Sequence, residues 1–172
     1  MTQERLENYV FSEEYSFTPF FLVVHEDSDI ESMEDLVGKR FIADPKSVAY
    51  EFINEYIEEN NLQGQIEVVA SEAEAFMEIE LGRADATFDS IVLFDNKCEK
   101  GDYNLKLIGE PVGDQKHAFP FRKDVDPEFL EAFNKAIKDM MEDGFMTDLY
   151  MDYFGIDISK PMSDNVVIPI QE

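Results

Sequence analysis

The side chains that most often perform covalent or metal chemistry are scarce in this sequence. It contains two histidines, His25 and His117, and a single cysteine, Cys98. The histidines lie far apart and lack the spacing of metal ligands, so we interpret both as ordinary polar residues. One cysteine excludes an intramolecular disulfide and a cysteine-based zinc cluster. The sequence therefore predicts no metal centre and no cofactor.

Catalytic signatures are absent as well. The sequence has no G-x-S-x-G motif, no phosphate-binding loop and no paired cysteine and histidine signature. Acid–base catalysis would need a carboxyl group held in an apolar pocket that raises its pKa. Carboxylates are abundant, but no residue pattern marks one of them for this role. The sequence therefore favours binding without turnover over catalysis.

Charge narrows the range of partners. The 172 residues include 39 acidic and 14 basic side chains, which gives a formal net charge of −25. A field of this sign repels phosphate backbones and anionic lipid headgroups, so nucleic acid and membrane surfaces are disfavoured as partners. No apolar run is long enough to cross a bilayer and no leader pattern is present, so we expect no membrane insertion and find no signal peptide in this chain.

Strands and helices alternate in the predicted element order. Apolar and β-branched runs predict strands at 17–24, 40–43, 66–70, 85–88, 105–109 and 117–121. Caps and helical spacing predict helices that begin near Ser32, Ser47, Ser71, Ile91, Pro127 and Phe145. Strands separated by helices imply parallel pairing through right-handed crossovers. We therefore predict an α/β fold with an open, mostly parallel sheet flanked by helices, whose ligands bind at the carboxyl ends of the strands.

Seven short motifs follow one another along the chain. They are T-x-x-R at 2–5, F-S-x-x-Y at 11–15, D-L-V-G-K at 35–39, S-E-A-E-A at 71–75, G-R-A-D-A at 82–86, F-R-K at 121–123 and D-G at 143–144. Each motif is weak alone, but in this order the chain up to Gly155 resembles the extracellular solute-binding proteins of amino-acid ABC transporters, family 3. The resemblance implies a type II periplasmic binding fold, in which two α/β lobes close on an amino acid.

The resemblance also implies a domain organisation. Residues 1–21 correspond to the end of the first lobe with the first crossing between lobes, and residues 22–116 to a complete second lobe. Residues 117–158 correspond to the second crossing and the C-terminal helices, and residues 159–172 form a tail. Most of the first lobe has no counterpart in this sequence.

Leaving roughly 500 Å² of apolar helix surface uncovered would forgo about 12 kcal/mol, so either the helices fold back on the lobe or they meet another chain. We favour self-association, for instance a homodimer that exchanges segments.

Three candidate ligand residues lie near the start of the chain. By resemblance, Arg5 is the arginine whose guanidinium makes two parallel bonds to the ligand carboxylate, although it could also be a surface arginine. Tyr15 and Phe17 lie where the family places aromatic residues against the ligand side chain, although aromatic residues at such positions are more often part of the core.

Three more candidates lie in the second lobe. Ser47 keeps one hydroxyl of a turn that meets the ligand carboxylate in the family, but Lys46 and Val48 replace its other residues, and Ser47 could simply cap a helix. Ser90 occupies the position at which the family normally has an aspartate for the ligand ammonium. Asp89, one residue earlier, either faces the cleft or caps the following helix, because alternate strand residues face opposite sides.

These features define three functional hypotheses. The first is a truncated or degenerate solute-binding protein, extracytoplasmic by resemblance, that binds a small amino-acid-like solute without turnover and serves an ABC transporter permease. The second is an interaction or assembly module that has lost ligand binding, which the residues at Lys46, Val48 and Ser90 favour. The third is a cyclohexadienyl dehydratase-like enzyme, which some relatives of the fold resemble.

Overall fold

The computed structural model describes residues 7–71 and 74–161. The chain order is β1 (Tyr9–Phe11), β2 (Ser16–His25), a 3-10 helix (Met33–Leu36), β3 (Arg40–Ala43), α1 (Val48–Glu59), β4 (Glu67–Ala70), α2 (Ala75–Glu80), β5 (Ala86–Ser90), α3 (Ile91–Gly101), β6 (Leu105–His117), β7 (Pro120–Arg122), α4 (Pro127–Glu142) and α5 (Phe145–Phe154). The described residues divide into two units, the first with residues 7–18 and 114–161 and the second with residues 19–71 and 74–113. Strands β2 and β6 each continue from one unit into the other.

The second unit is built on a five-stranded sheet in the order β4-β3-β5-β2-β6. Strand β3 pairs in parallel with both β4 and β5. Strand β2 pairs antiparallel with β5, with Phe20 opposite Ser90 and Val24 opposite Ala86. The predicted α/β class and the mostly parallel sheet flanked by helices are confirmed, and β2 makes the sheet a mixed one.

Both faces of this sheet are covered by helices. Alternate residues of β2 point to opposite faces, so Leu22 and Val24 join one apolar cluster and Val23 joins the other. Helix α1 contributes Ile53 and Ile57 to the first cluster. Helices α2 and α3 contribute to the second cluster through Phe76, Ile79 and Phe94. The sheet therefore carries one core on each side, as an open α/β sheet requires.

Helix starts follow the predicted capping residues with one exception. The Ser32 and Asp35 capping box is present, and the side chain of Ser47 accepts a hydrogen bond from the backbone N–H of Tyr50 at 3.2 Å. The exception is α2, whose N-cap is Glu74 and not the predicted Ser71. The backbone N–H of Ser71 still donates to the carbonyl of Ala43 at 3.0 Å, so Ser71 extends the pairing of β4 with β3 and does not begin a helix.

Strand β6 is longer than predicted. The sequence indicated one strand ending at Gly109 and another from 117 to 121, whereas β6 runs without interruption to His117 and β7 begins only at Pro120. Within β6, Gly109 has a φ of +73° and Pro111 lacks an N–H. Strand β6 is the edge strand of the sheet, and edge strands tolerate proline because one of their sides has no partner strand.

The first unit contains the two-stranded β1–β7 sheet and the C-terminal helices. Strand β1 pairs antiparallel with β7, with Tyr9 opposite Arg122 and Phe11 opposite Pro120. Helix α4 begins as predicted, because the Asp126 carboxylate accepts a hydrogen bond from the N–H of Glu128 at 2.9 Å and Pro127 occupies the first turn. Within residues 7–71 and 74–161, no helix combines the length and apolar character needed to span a bilayer. Of the predicted tail, residues 159–172, the part from residue 162 onward lies outside the described residues.

Candidate functional site

Polar residues and helix starts meet at one edge of the second unit's sheet. Parallel strands β3, β4 and β5 have their carboxyl ends at this edge. The chain continues from β3 through Ser47 into α1, and from β5 directly into α3. The first turn of each helix leaves backbone N–H groups without intrahelical partners, which favours polar or anionic groups nearby. We call Ser47, Asp89 and Ser90 the strand-end site, since open α/β sheets bind their ligands at such an edge.

Ser47 is committed to the local turn. Its hydroxyl donates to the carbonyl of Asp44 at 2.7 Å and accepts from the N–H of Tyr50 at 3.2 Å. The Asp44 carboxylate accepts the N–H of Lys46 at 2.8 Å, which completes the turn. A hydroxyl has one hydrogen and two lone pairs, so one lone pair of Ser47 is left for a further donor.

Asp89 is a buried residue whose charge is already compensated. It is 8% exposed and belongs to β5. One carboxylate oxygen accepts the N–H of Ser90 at 2.7 Å, and the other forms an ion pair with the Nζ of Lys97 on α3. Lys97 also lies 5.3 Å from the centre of the Phe76 ring, which holds the ammonium in place. Asp89 therefore has little free charge to offer a ligand.

Ser90 differs from Ser47 and Asp89 in the hydrogen bonding of its side chain. It is the N-cap of α3, yet its side chain makes no capping hydrogen bond. The residue is only 2% exposed, and its Oγ has no hydrogen-bond partner among the described residues. Buried hydroxyls in folded proteins nearly always have a partner. The Ser90 hydroxyl is thus the group of the strand-end site whose hydrogen-bonding capacity is unused among the described residues.

In the first unit, Tyr15 and Phe17 are held by structural contacts. The Tyr15 ring stacks on Phe119 with centroids 4.5 Å apart, and its carbonyl accepts the Tyr150 hydroxyl at 2.8 Å. Phe17 is buried, and its N–H donates to the carbonyl of Ile158 at 2.8 Å. Arg5 lies outside the described residues.

Phe17 also lines a hollow of about 430 Å³ that belongs entirely to the first unit. Sequence reasoning did not select two of its polar lining residues, Ser12 and Asn134. The Asn134 side-chain oxygen accepts the N–H of Glu13 at 2.9 Å, and the Ser12 hydroxyl accepts the N–H of Phe119 at 3.0 Å. Asn134 lies on the face of α4 that otherwise carries apolar residues. A polar residue on this face was the sequence signal that could have identified Asn134 as a candidate.

Both histidines make local polar contacts. The Nδ1 of His25 accepts the N–H of Asp27 at 3.1 Å, and its Nε2 lies 4.0 Å from Glu80. The Nε2 of His117 lies 3.2 Å from the Thr18 hydroxyl, and burial lowers the pKa of His117. Within the part of the chain that the structure describes, no three His, Cys, Asp or Glu side chains are arranged as metal ligands.

The chain belongs to the bacterial extracellular solute-binding proteins, family 3, whose family model matches residues 1–156. It is 30% identical over 163 residues to the probable amino-acid-binding protein YxeM of Bacillus subtilis, an alignment that covers 92% of this chain and 60% of that protein. It is 31% identical over 160 residues to the L-cystine-binding protein TcyA of Bacillus subtilis, covering 91% of this chain and 57% of that protein.

Solved structures show the same fold. The crystal structure of the probable amino-acid ABC transporter extracellular-binding protein ytmK from Bacillus subtilis matches with a TM-score of 0.77 and 26% identity, over 91% of this chain and 68% of that one. This chain therefore spans about three-fifths of the length of the two relatives that it matches in sequence. The relatives are named for binding amino acids or cystine, and not for catalysis.

Proposed function

We propose that this chain is the solute-gripping part of an extracytoplasmic amino-acid receptor and that it binds an amino-acid-like solute without turnover for an ABC transporter permease. The second unit corresponds to the second lobe of such a receptor, and the first unit to its crossings and C-terminal helices. The observation that carries the proposal is the buried Ser90 hydroxyl at the carboxyl edge of the parallel strands, which has no hydrogen-bond partner within residues 7–71 and 74–161.

The chemistry of the strand-end site limits how the solute is held. Asp89 is paired with Lys97, so the site offers a neutral hydroxyl at Ser90 and one acceptor lone pair at Ser47. A polar but locally uncharged part of the solute fits these groups. Because relatives are named for amino acids and for cystine, we propose an amino acid or a cystine-like disulfide as the solute. We also propose that Arg5, Tyr15 and Phe17 contact the solute.

Isothermal titration with L-cystine and a panel of amino acids tests the proposal. We expect one member of the panel to bind, with a Kd between about 10 µM and about 1 mM. Replacing Ser90 with alanine should weaken this binding at least fivefold, since a buried hydrogen bond to the solute is lost. The control variant is Ser28→Ala, because the Ser28 hydroxyl accepts the local N–H of Ile30 at 3.2 Å. A panel that is silent throughout contradicts a receptor, and equal binding by the two variants contradicts the role of Ser90.

A second candidate function is assembly, and the surface of the first unit favours it. Large apolar side chains of α4 and α5 are exposed, among them Phe129 at 52%, Phe145 at 53% and Tyr153 at 77%. Exposed large apolar side chains on two helices favour an interaction surface there. We therefore propose that copies of this chain associate through α4 and α5, with exchange of segments as one route to a two-fold dimer.

Light scattering over a range of protein concentrations tests assembly independently of solute binding. We expect a dimer whose fraction rises with concentration, and we expect Phe129→Ser with Phe145→Ser to shift the equilibrium to monomer. A well-folded wild-type chain that stays monomeric at every concentration excludes the assembly proposal. An enzyme would convert the bound solute chemically. If NMR shows that the solute is recovered unchanged, the result supports the two binding candidates and contradicts the enzyme hypothesis.

A further inference from the structure

The second unit contains a cavity of about 470 Å³ that is distinct from the strand-end site. Its lining comes from β2, the 3-10 helix, the later part of α1 and the middle of β6. Helix α1 starts at the strand-end site with the Ser47 cap, whereas Glu59 at its far end lines the cavity. At ~1.5 Å of rise per residue, Glu59 lies about 18 Å along the helix axis from Ser47. We call this hollow the α1–β6 cavity.

The floor of the α1–β6 cavity is apolar. Leu22, which is 1% exposed, comes from the middle of β2, and Ile108 and Val112 come from β6. Phe52 and Tyr56 face it from α1, one turn apart. Burial, followed by the charge of Glu34, raises the pKa of Tyr56, so its phenol stays protonated at neutral pH and can donate a hydrogen bond. Volume and lining fall in the range of small-molecule pockets.

The rim of the cavity is acidic. Its four carboxylates come from three separate elements and are Glu34, Glu55, Glu59 and Glu110. Within residues 7–71 and 74–161, none of the four forms an ion pair with a lysine or arginine, although other acids of the same unit do, such as Asp29 with Lys39. Glu55 and Glu59 lie one turn apart on α1, so their like charges repel each other. Uncompensated negative charge around an apolar floor complements a ligand that is both cationic and apolar.

The arrangement of the four carboxylates favours an organic cation over a metal ion. A metal ion needs three or more ligands that converge on one point, and no such group occurs in the part of the chain that the structure describes. The carboxylates instead line the same cavity as a hydrophobic surface that carries two aromatic rings. Such rings attract ammonium and guanidinium groups at their faces. The long, apolar stem of an amine can cover the floor while its charged end stays among the carboxylates.

We infer that the α1–β6 cavity is a second ligand site of this chain, and that its ligand is an organic cation with an apolar stem, meaning a primary amine or a guanidinium compound. This site is separate from the amino-acid site proposed above and does not depend on it. It needs no carboxylate on the ligand, because the cavity presents no cationic side chain among its lining residues.

Backbone amide NMR titration of the full chain with 4-phenylbutylamine at low ionic strength tests the inference. We expect saturable shifts at Phe52, Tyr56, Ile108 and Val112 with a Kd below about 5 mM, and binding of the neutral analogue 4-phenylbutanol at least tenfold weaker. Equal binding of amine and alcohol, shifts scattered over the whole surface, or no saturation up to about 20 mM each overturn the inference.

A matched pair of double variants separates local recognition from general attraction by a chain of net charge −25. Glu55→Gln with Glu59→Gln removes two rim charges and should weaken amine binding at least fivefold. Glu51→Gln with Glu58→Gln removes the same charge from exposed positions of the same helix that do not line the cavity, and should leave binding within twofold. An equal loss in both pairs would assign the binding to the overall field and overturn the inference.

A variant of the floor provides a test that leaves all charges in place. A methyl group at Gly113 would lie 2.7 Å from Cζ of Phe52, so Gly113→Ala forces the Phe52 ring to shift. We expect at least threefold weaker binding of 4-phenylbutylamine, with the fold retained by circular dichroism. Unchanged affinity, with the ring shift confirmed by NMR, would show that the floor does not contact the ligand stem.

Discussion

Asp89 and Ser90 are neighbours in sequence, but their side chains differ in whether they have polar partners. The Asp89 carboxylate receives a backbone N–H and the ammonium of Lys97, whereas the Ser90 hydroxyl receives nothing among the described residues. A polar group that is buried without a partner costs free energy. A binding protein can tolerate this cost where the ligand supplies the missing hydrogen-bond partner. The cost also means that removing the Ser90 hydroxyl should not lower the free energy of unfolding, which can be measured.

Ser90→Ala should leave the free energy of unfolding unchanged or raise it by up to about 1 kcal/mol, because the lost hydroxyl has no partner in the described part of the chain. The matched control on the same strand is Thr87→Val, since the Thr87 hydroxyl donates to the carbonyl of Ile42 at 2.7 Å. That variant should lose about 1 kcal/mol. Urea unfolding without ligand measures both. A loss for Ser90→Ala as large as that for Thr87→Val would mean that the hydroxyl is paired.

A second prediction at the scale of a single residue concerns Tyr150. Burial raises the pKa of Tyr150 to about 12, and its hydroxyl donates to the carbonyl of Tyr15 at 2.8 Å. A pKa that is higher in the folded than in the unfolded chain means that stability is fully present below pH 10 and falls as the pH rises from 10 towards 12. Tyr150→Phe should cost about 1 kcal/mol at pH 8, and this difference should shrink above pH 10.

Guanidinium unfolding at pH 8 and at pH 11 checks this prediction. The comparison variant is Tyr153→Phe, because Tyr153 lies on the same helix and is 77% exposed. Its stability should follow that of the wild type at both pH values. A constant difference between wild type and Tyr150→Phe across the two pH values would contradict the assigned ionisation.

At the scale of elements, one ion pair joins the starts of β3 and β5. The Asp85 carboxylate accepts the backbone N–H of Arg40 at 2.7 Å and two guanidinium hydrogen bonds, at 3.2 and 3.1 Å. Burial alone would raise the pKa of Asp85, but the hydrogen bonds from Arg40 outweigh it and lower the pKa. The aspartate of the G-R-A-D-A motif therefore connects the starts of two neighbouring strands of the sheet.

Asp85→Asn should lower the free energy of unfolding by about 1 to 2 kcal/mol at pH 7, a range that allows for the partial exposure of the pair. Because the pKa of Asp85 is lower in the folded chain, the stabilisation is present above about pH 4 and is lost as the pH falls further. Urea unfolding at pH 7 and pH 3 should show the difference from wild type shrinking at pH 3. Asp95→Asn, at an exposed position of α3, serves as the control and should change stability by less than about 0.5 kcal/mol.

The whole molecule carries far more negative than positive charge, with 39 acidic and 14 basic residues. Mutual repulsion of this kind destabilises the compact state, and salt screens it. Raising NaCl from about 10 mM to about 150 mM, where the Debye length falls to about 8 Å, should raise the thermal unfolding midpoint by several degrees. Sucrose at equal osmolality controls for solvent effects. A midpoint that is flat or falls with salt would contradict net repulsion as a destabilising term.

Prediction from sequence succeeded where the determining interactions are local. Caps such as Ser32, Ser47 and Asp126 act on N–H groups two or three residues away, and the strand at 40–43 follows from four consecutive residues. Prediction failed at β6, because only the position of that strand at the sheet edge makes Pro111 compatible with a continuous strand. The start of α2 was missed because Ser71 is held by β3, a strand that lies far away in sequence.

The sequence alone determined the α/β class, the family, the acidic field and most helix starts, since periodicity, capping and composition depend on residues close together in the chain. Tertiary structure decided which polar groups are paired and which are not. The compensation of Asp89 by Lys97, the unpaired hydroxyl of Ser90 and the α1–β6 cavity, built from positions between 22 and 112, depend on burial and on partners that folding brings together. Burial is set by all neighbours at once, which is why no local pattern could reveal these features.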